Sequence, residues 1–161
     1  MNYYNVGKIR ENVYYINDEE LCTSYLLIGE DKALLIDAGY TITPQNSLKE
    51  EVRKITNKEC YVILTHAHSD HTGHLDEFDK YYIAEEEFSY RKDLDKTKAI
   101  IINDKEYIDL GNYKVQVLKI PGHTPGSIAI IDNKNKLLFT GDEFGSGCGM
   151  WLQLNSCLPL S

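Results

Sequence analysis

Nowhere does this sequence carry an apolar stretch long enough to cross a bilayer, and its first residues, Met1-Asn2-Tyr3-Tyr4-Asn5-Val6-Gly7-Lys8, lack the apolar run of a secretory leader. A cytoplasmic protein without a membrane partner is the expectation. Basic residues are scarce. The 17 Lys and Arg face 25 Asp and Glu, a net charge of −8, which disfavours a surface for gripping phosphates and removes nucleic acid from the expected partners. No Cys-x-x-Cys pair occurs among Cys22, Cys60, Cys148 and Cys157, so reduced, mostly buried thiols are expected. No Gly-x-Ser-x-Gly elbow offers covalent serine catalysis. No repeat, low-complexity tract or linker divides the chain. With 42% hydrophobic and 26% charged residues, its 161 residues read as one domain, 1–161, with a buried core.

The pattern along the chain is mostly strands. Residues 12–16, 23–28 and 33–37 read as strands, the last an unbroken apolar run suited to burial on both faces. A helix should follow, capped by Thr43 with Pro44 in its first turn and with Leu48, Val52 and Ile55 on one face. Residues 60–65 form another apolar strand. Segments 73–78 and 85–94 look helical and flank a short strand at 82–84. From Ile100 onward strands return at 105–108, 114–120, 127–132 and 136–140, the last two joined as a hairpin by Asp132-Asn133-Lys134-Asn135. This is the pattern of a layered α/β or α+β sandwich.

The strongest signal is His66-Ala67-His68-Ser69-Asp70-His71, directly after the 60–65 strand. Three imidazoles and a carboxylate this close would leave costly unsatisfied groups if buried without a cation. A divalent metal resolves this, since neutral imidazoles and carboxylates are its natural donors. A second motif, Pro121-Gly122-His123-Thr124-Pro125-Gly126-Ser127, puts a histidine in a tightly punctuated turn after a strand. A third, Leu138-Phe139-Thr140-Gly141-Asp142, delivers a carboxylate in the same way. Cys148 stands in a Gly-rich stretch near this third motif, where a reactive or ligating role is the alternative to a buried thiol.

This ordered set resembles the metallo-β-lactamase superfamily. The Asp70-His71 pair and the Pro-Gly-His-Thr-Pro-Gly-Ser turn are most similar to its glyoxalase II-like hydrolases. The resemblance implies an αβ/βα sandwich with a two-metal site at one edge. It implies that His66, His68 and His123 hold the first metal, that Asp70 and His71 hold the second, and that Asp142 bridges both. Asp37 matches the family's acidic residue at a strand end, either supporting the site from behind or serving as a turn carboxylate before Gly39. The implied cofactor is a divalent metal, zinc first, with iron or manganese as alternatives. The implied chemistry is attack by a metal-activated hydroxide on a small ester, thioester, amide or phosphoester, with Asp70 as the catalytic residue that orients the nucleophile or moves a proton to the leaving group. The alternatives are a single-iron oxygenase acting on sulfur compounds and a metal-binding remnant without turnover.

Two features depart from the family pattern. Relatives supply a further histidine after the bridging aspartate, whereas the five histidines here stand at 66, 68, 71, 74 and 123. The second half of the sandwich is therefore expected to be incomplete, with C-terminal elements missing, the second metal weakly held, and either a homo-oligomer formed through that side by Trp151, Leu152, Leu154, Leu158 and Leu160 or a frayed C-terminal end. His74 stands where relatives carry glycine. It is expected on a solvent-facing helix surface, with a substitute ligand as the alternative.

Overall fold

The computed structural model describes residues 3–18, 22–41 and 46–144. Among these, eleven strands form two sheets. The larger contains β1 (Asn5–Arg10), β2 (Val13–Asn17), β3 (Thr23–Ile28), β4 (Ala33–Ile36), β5 (Cys60–Ile63), β6 (Tyr81–Ile83) and β7 (Ala99–Ile101), in chain order across the sheet. Pairing is antiparallel from β1 to β4 and parallel from β4 to β7. The smaller is an antiparallel sheet in the order β11 (Leu137–Phe139), β10 (Ile128–Asp132), β9 (Lys114–Lys119), β8 (Tyr107–Asp109). This mixed sandwich matches the α/β fold class expected from the sequence. No helix among the described residues is long and apolar enough to cross a membrane.

The unbroken apolar run of β4 is explained by two cores. Ala33 and Leu35 point into one, with Leu26, Val62 and the helix residues Leu48 and Val52. Leu34 and Ile36 point into the other, with Ile63, Val115, Val117, Ile128 and Ile130 between the sheets. At roughly 1.5–3 kcal/mol for each fully buried aliphatic side chain, these alternating layers supply most of the driving force for the sandwich. Helix α1 (Leu48–Ile55) is capped by Ser47, whose side chain accepts the N–H of Glu50 at 3.0 Å. The expected cap at Thr43 and Pro44 lies outside the described residues. So do Cys148, Cys157 and the apolar residues between 151 and 160. Among the described residues, helix packs on the outer face of the larger sheet alone, through Leu48 and Val52.

Three expectations are corrected. Residues 73–78 and 85–94 are not helices but short 3₁₀ turns, Leu75–Glu77 and Glu85–Ser89. Helix α2 (Ser69–Thr72) stops early because the N–H groups of Gly73 and His74 pair with the carbonyls of Gly39 and Ala38, so the helical ladder is not continued. His74 is buried, not solvent-facing. Its Nδ1 donates to Glu77 Oε1 at 2.7 Å, and its Nε2 lies 3.3 Å from the Tyr4 hydroxyl, away from the histidine cluster.

Candidate metal centre

Parallel pairing of β4 with β5 brings their C-terminal ends out side by side, with Ile36 opposite Ile63. Asp37 follows β4, and the Thr65-His66 segment follows β5 by one residue. The 121–127 turn lies over the same edge, because Ile128 N–H donates to the Thr65 carbonyl at 2.8 Å. The 3₁₀ turn Gly141–Glu143, after β11, completes the rim. Gly141 is required there. Its φ is +53°, and a Cβ would stand 2.4 Å from Thr65 Oγ1.

The imidazoles converge. His66 Nε2 and His123 Nε2 each lie 3.0 Å from His68 Nδ1. Ligands about 2.0–2.1 Å from a tetrahedral zinc stand roughly 3.3 Å apart, so the spacing is close to what one ion requires. Among the described residues, two sets have donor atoms all within 4.8 Å of one another: His66, His68 and His123, and His66, His71 and Asp142. Asp142 stands between them. Its Oδ1 is 3.3 Å from His71 Nε2, and its Oδ2 is 3.7 Å from His123 Nε2 and 4.0 Å from His66 Nε2. Asp70 borders the second set, with Oδ2 3.7 Å from His71 Nε2.

Hydrogen bonds behind the ring of donors fix which nitrogen His66 and His71 offer. Asp37 is buried, and its Oδ1 accepts the N–H of Thr65 at 2.7 Å. Its Oδ2 accepts the Thr65 hydroxyl at 2.8 Å and the Nδ1–H of His71 at 2.8 Å. The Thr65 hydroxyl, its one proton committed to Asp37, accepts from His66 Nδ1 at 3.1 Å. That leaves His66 Nε2 as a bare lone pair facing the cluster, as a ligand needs. The Glu143 carboxylate holds the other side, accepting the N–H of His123 at 2.7 Å. Asp37 is therefore a support behind the donors, not an isolated turn carboxylate.

Electrostatics sharpen this. Burial, then the charges of His71 and His68, push the His66 pKa down to about 2 against the opposing pull of Asp142. His71 goes the other way. Burial alone would lower it, but Asp37 and Asp142 outweigh burial and raise it to about 11. Asp142 is held down to about 2 by its hydrogen bond to His71, against burial, with further help from the His71 charge. Without metal, the imidazolium of His71 is the cation between two carboxylates.

The sequence singled out His66, His68, Asp70, His71, His123 and Asp142, and the fold gathers all six at one sheet edge. It did not single out Thr65, Glu87 or Glu143, whose partners are main-chain N–H groups and neighbouring side chains met only after folding.

This sandwich, with donors at its strand ends, has the architecture of a metallo-hydrolase fold. The family model of the metallo-beta-lactamase superfamily matches residues 17–156. The chain belongs to that superfamily. It is 34% identical over 148 residues to a probable metallo-hydrolase of Methanocaldococcus jannaschii, covering 80% of this chain and 70% of that one. It is 29% identical over 136 residues to the hydroxyacylglutathione hydrolase of Prochlorococcus marinus, covering 78% of this chain and 51% of that one. Among solved structures it is similar to the metallo-beta-lactamase GOB-18 of Elizabethkingia meningoseptica, with a TM-score of 0.64 and 27% identity over 81% of this chain and 58% of that one. The chain spans about half the length of several other curated relatives it matches.

Proposed function

We propose that this chain carries the metal centre of a hydrolase acting on a small ester, thioester, amide or phosphoester. The observation that carries this reading is the convergence of His66, His68 and His123, with His71 and Asp142 alongside. Zinc is the first choice for such a set of imidazoles and carboxylates, with iron or manganese as alternatives. His66, His68 and His123 would hold one ion, and His71 with Asp142 a second, with Asp70 at its rim. Bound there, the metal supplies Lewis acidity and lowers the pKa of its water.

The chain's own groups do the rest. Asp37 holds the His71 ring by Nδ1, so Nε2 faces the site. Thr65 does the same for His66. Asp70, with its side chain 45% exposed, is placed to take a proton from an attacking water or pass one to the leaving group. The relative named as a hydroxyacylglutathione hydrolase gives acyl thioesters first place among substrates to try.

The test is elemental analysis of protein purified without chelator, followed by a screen of generic thioesters, esters, amides and phosphoesters. About one metal per chain or more, with hydrolysis lost in His68→Ala, supports the reading. Protein that cannot be loaded with zinc, iron or manganese overturns it. A single iron with oxygen uptake and no hydrolysis would favour the oxygenase alternative.

A further inference from the structure

We propose that Glu87 is a positioning residue that locks the His66–His68 segment to the His123 turn and so sets the spacing of the first metal's three imidazoles. The inference rests on the metal-binding reading above. Glu87 lies in the 3₁₀ turn Glu85–Ser89 and is 0% exposed. Its Oε2 accepts the N–H of Ala67, the residue between His66 and His68, at 2.6 Å, and also the hydroxyl of Tyr90. Its Oε1 accepts the hydroxyl of Thr124 at 2.6 Å and the N–H of Gly126 at 2.9 Å, both in the turn that carries His123. One carboxylate thus ties together two loops 55 residues apart, whose imidazoles meet at His68 Nδ1 and His123 Nε2.

Neighbouring contacts show that this joint is built tightly. A Cβ on Gly126 would stand 2.6 Å from Glu87 Oε1, so the turn closes on the carboxylate as only glycine allows. The Ala67 peptide is held on its other side too, where Arg91 Nη1 donates to its carbonyl. The Tyr90 ring, anchored through its hydroxyl to Glu87, stands 6.1 Å from the His68 ring, centroid to centroid.

The chemistry of the joint demands a carboxylate. Both oxygens face a main-chain N–H, and a carboxylate can accept at both. An amide cannot: whichever way it turns, its NH₂ meets the N–H of Ala67 or of Gly126. The hydroxyls of Thr124 and Tyr90 can rotate to accept, but a peptide N–H cannot. Glu87→Gln therefore keeps size and shape, breaks one of the two bridges and frees one ligand-bearing loop.

The experiment is zinc affinity by competition with a chromophoric chelator, with the visible spectrum of the cobalt(II)-loaded protein and urea unfolding of the metal-free protein beside it. Glu87→Gln should unfold cooperatively, bind zinc about 10- to 100-fold more weakly and give an altered cobalt spectrum. Thr124→Val, which removes one donor and leaves both main-chain bridges, should weaken zinc binding only several-fold. It carries the test should Glu87→Gln fail to fold. A purely structural role would lower the unfolding midpoint and leave affinity and cobalt spectrum at wild-type values, and that result in either variant overturns the proposal. Wild-type protein that takes up no zinc overturns the metal reading and this inference together, whereas wild-type binding with unaltered variants overturns this inference alone.

Discussion

Asp37 and His71 are 34 residues apart in the chain, yet the Asp37 carboxylate accepts the Nδ1–H of His71 at 2.8 Å. The same carboxylate accepts the N–H and hydroxyl of Thr65. Through Thr65 it reaches His66, so one buried group orients an imidazole in each of the two donor sets. Its backbone is bent to do so: Asp37 has φ +60°, in the left-handed region.

Asparagine tolerates that region, so Asp37→Asn separates the hydrogen bonds from the backbone requirement. The amide cannot accept from Thr65 N–H, Thr65 Oγ1 and His71 Nδ1 together. Zinc affinity should fall about 10- to 100-fold, and the unfolding midpoint of the metal-free protein should also fall, since one buried donor loses its acceptor and the His71 imidazolium loses a neighbouring charge. Asp37→Ala should additionally lose about 1–3 kcal/mol of stability by stranding buried donors. Chelator competition and urea unfolding measure the two effects. Wild-type affinity in Asp37→Asn would remove Asp37 from the centre.

The two central histidines give the metal-free protein a distinctive pH profile. His66 has its folded pKa depressed to about 2 from 6.5, so as pH falls below 6.5 the unfolded chain takes up a proton that the folded chain refuses, and stability falls. His71 has its folded pKa raised to about 11 from 6.5, so its contribution is complete below 6.5 and is lost as pH rises toward 11. These groups place the stability maximum near pH 6.5, the ordinary value from which both depart. Saturating zinc should remove the alkaline decline, since His71 gives up that proton to bind metal through Nε2. Urea midpoints from about pH 4 to about pH 9, with chelator and with zinc, read both limbs. A metal-free protein whose stability rises steadily through this range would contradict the assignment of His71.

Much of this centre was legible because its donors come in short runs at strand ends. His66 to His71 share one segment, and His123 and Asp142 sit in glycine-bearing turns. Strand positions were legible wherever alternation or an unbroken apolar run was strong, as in β3 and β4. β1 escaped notice because Gly7 carries no side chain there; a Cβ would stand 2.3 Å from the Tyr15 ring. Helical propensity misled at 73–78, where main-chain N–H groups of Gly73 and His74 are taken by Gly39 and Ala38 across the edge of the sheet. Glu87 ends the run Glu85-Glu86-Glu87 and Glu143 directly follows Asp142, so neither stands out in the sequence. Nothing local distinguishes them from surface carboxylates, because their partners are brought to them by the parallel pairing of β4 with β5 and by the turn after β9.

The two donor sets should bind metal unequally. His66, His68 and His123 offer three imidazole nitrogens, with His66 Nε2 and His123 Nε2 each 3.0 Å from His68 Nδ1 between them, close to the spacing a tetrahedral ion requires. The second position draws on His71 and Asp142, shares His66 with the first, and must displace the proton that His71 holds. Calorimetric titration of the metal-free chain should therefore show a tight first event and a weaker second one. The second event should release a proton, seen as a heat that varies with buffer ionisation enthalpy. Two tight, equivalent events without proton release would mean that the positions are completed by donors other than these.

Asp70 separates chemistry from folding. It lies in the four-residue helix α2, and its side chain is 45% exposed with Oδ2 3.7 Å from His71 Nε2. An exposed carboxylate at a short helix contributes little to the fold, so Asp70→Ala should shift unfolding by less than about 0.5 kcal/mol. It is also the acid at the rim of the second set that is open to solvent, where a proton must pass between attacking water and leaving group. Its loss should lower turnover of a thioester or ester substrate about 100-fold or more. The first metal position, built from His66, His68 and His123, should keep its zinc. Asp70→Asn sharpens the test, because the amide keeps the shape and a hydrogen-bonding oxygen but cannot carry the proton. Turnover as low in Asp70→Asn as in Asp70→Ala, at unchanged zinc content, is the expected result. Full turnover in Asp70→Ala would assign the observed hydrolysis to another site or to a contaminant, and full recovery in Asp70→Asn would make Asp70 a holder of water or metal, not a carrier of protons.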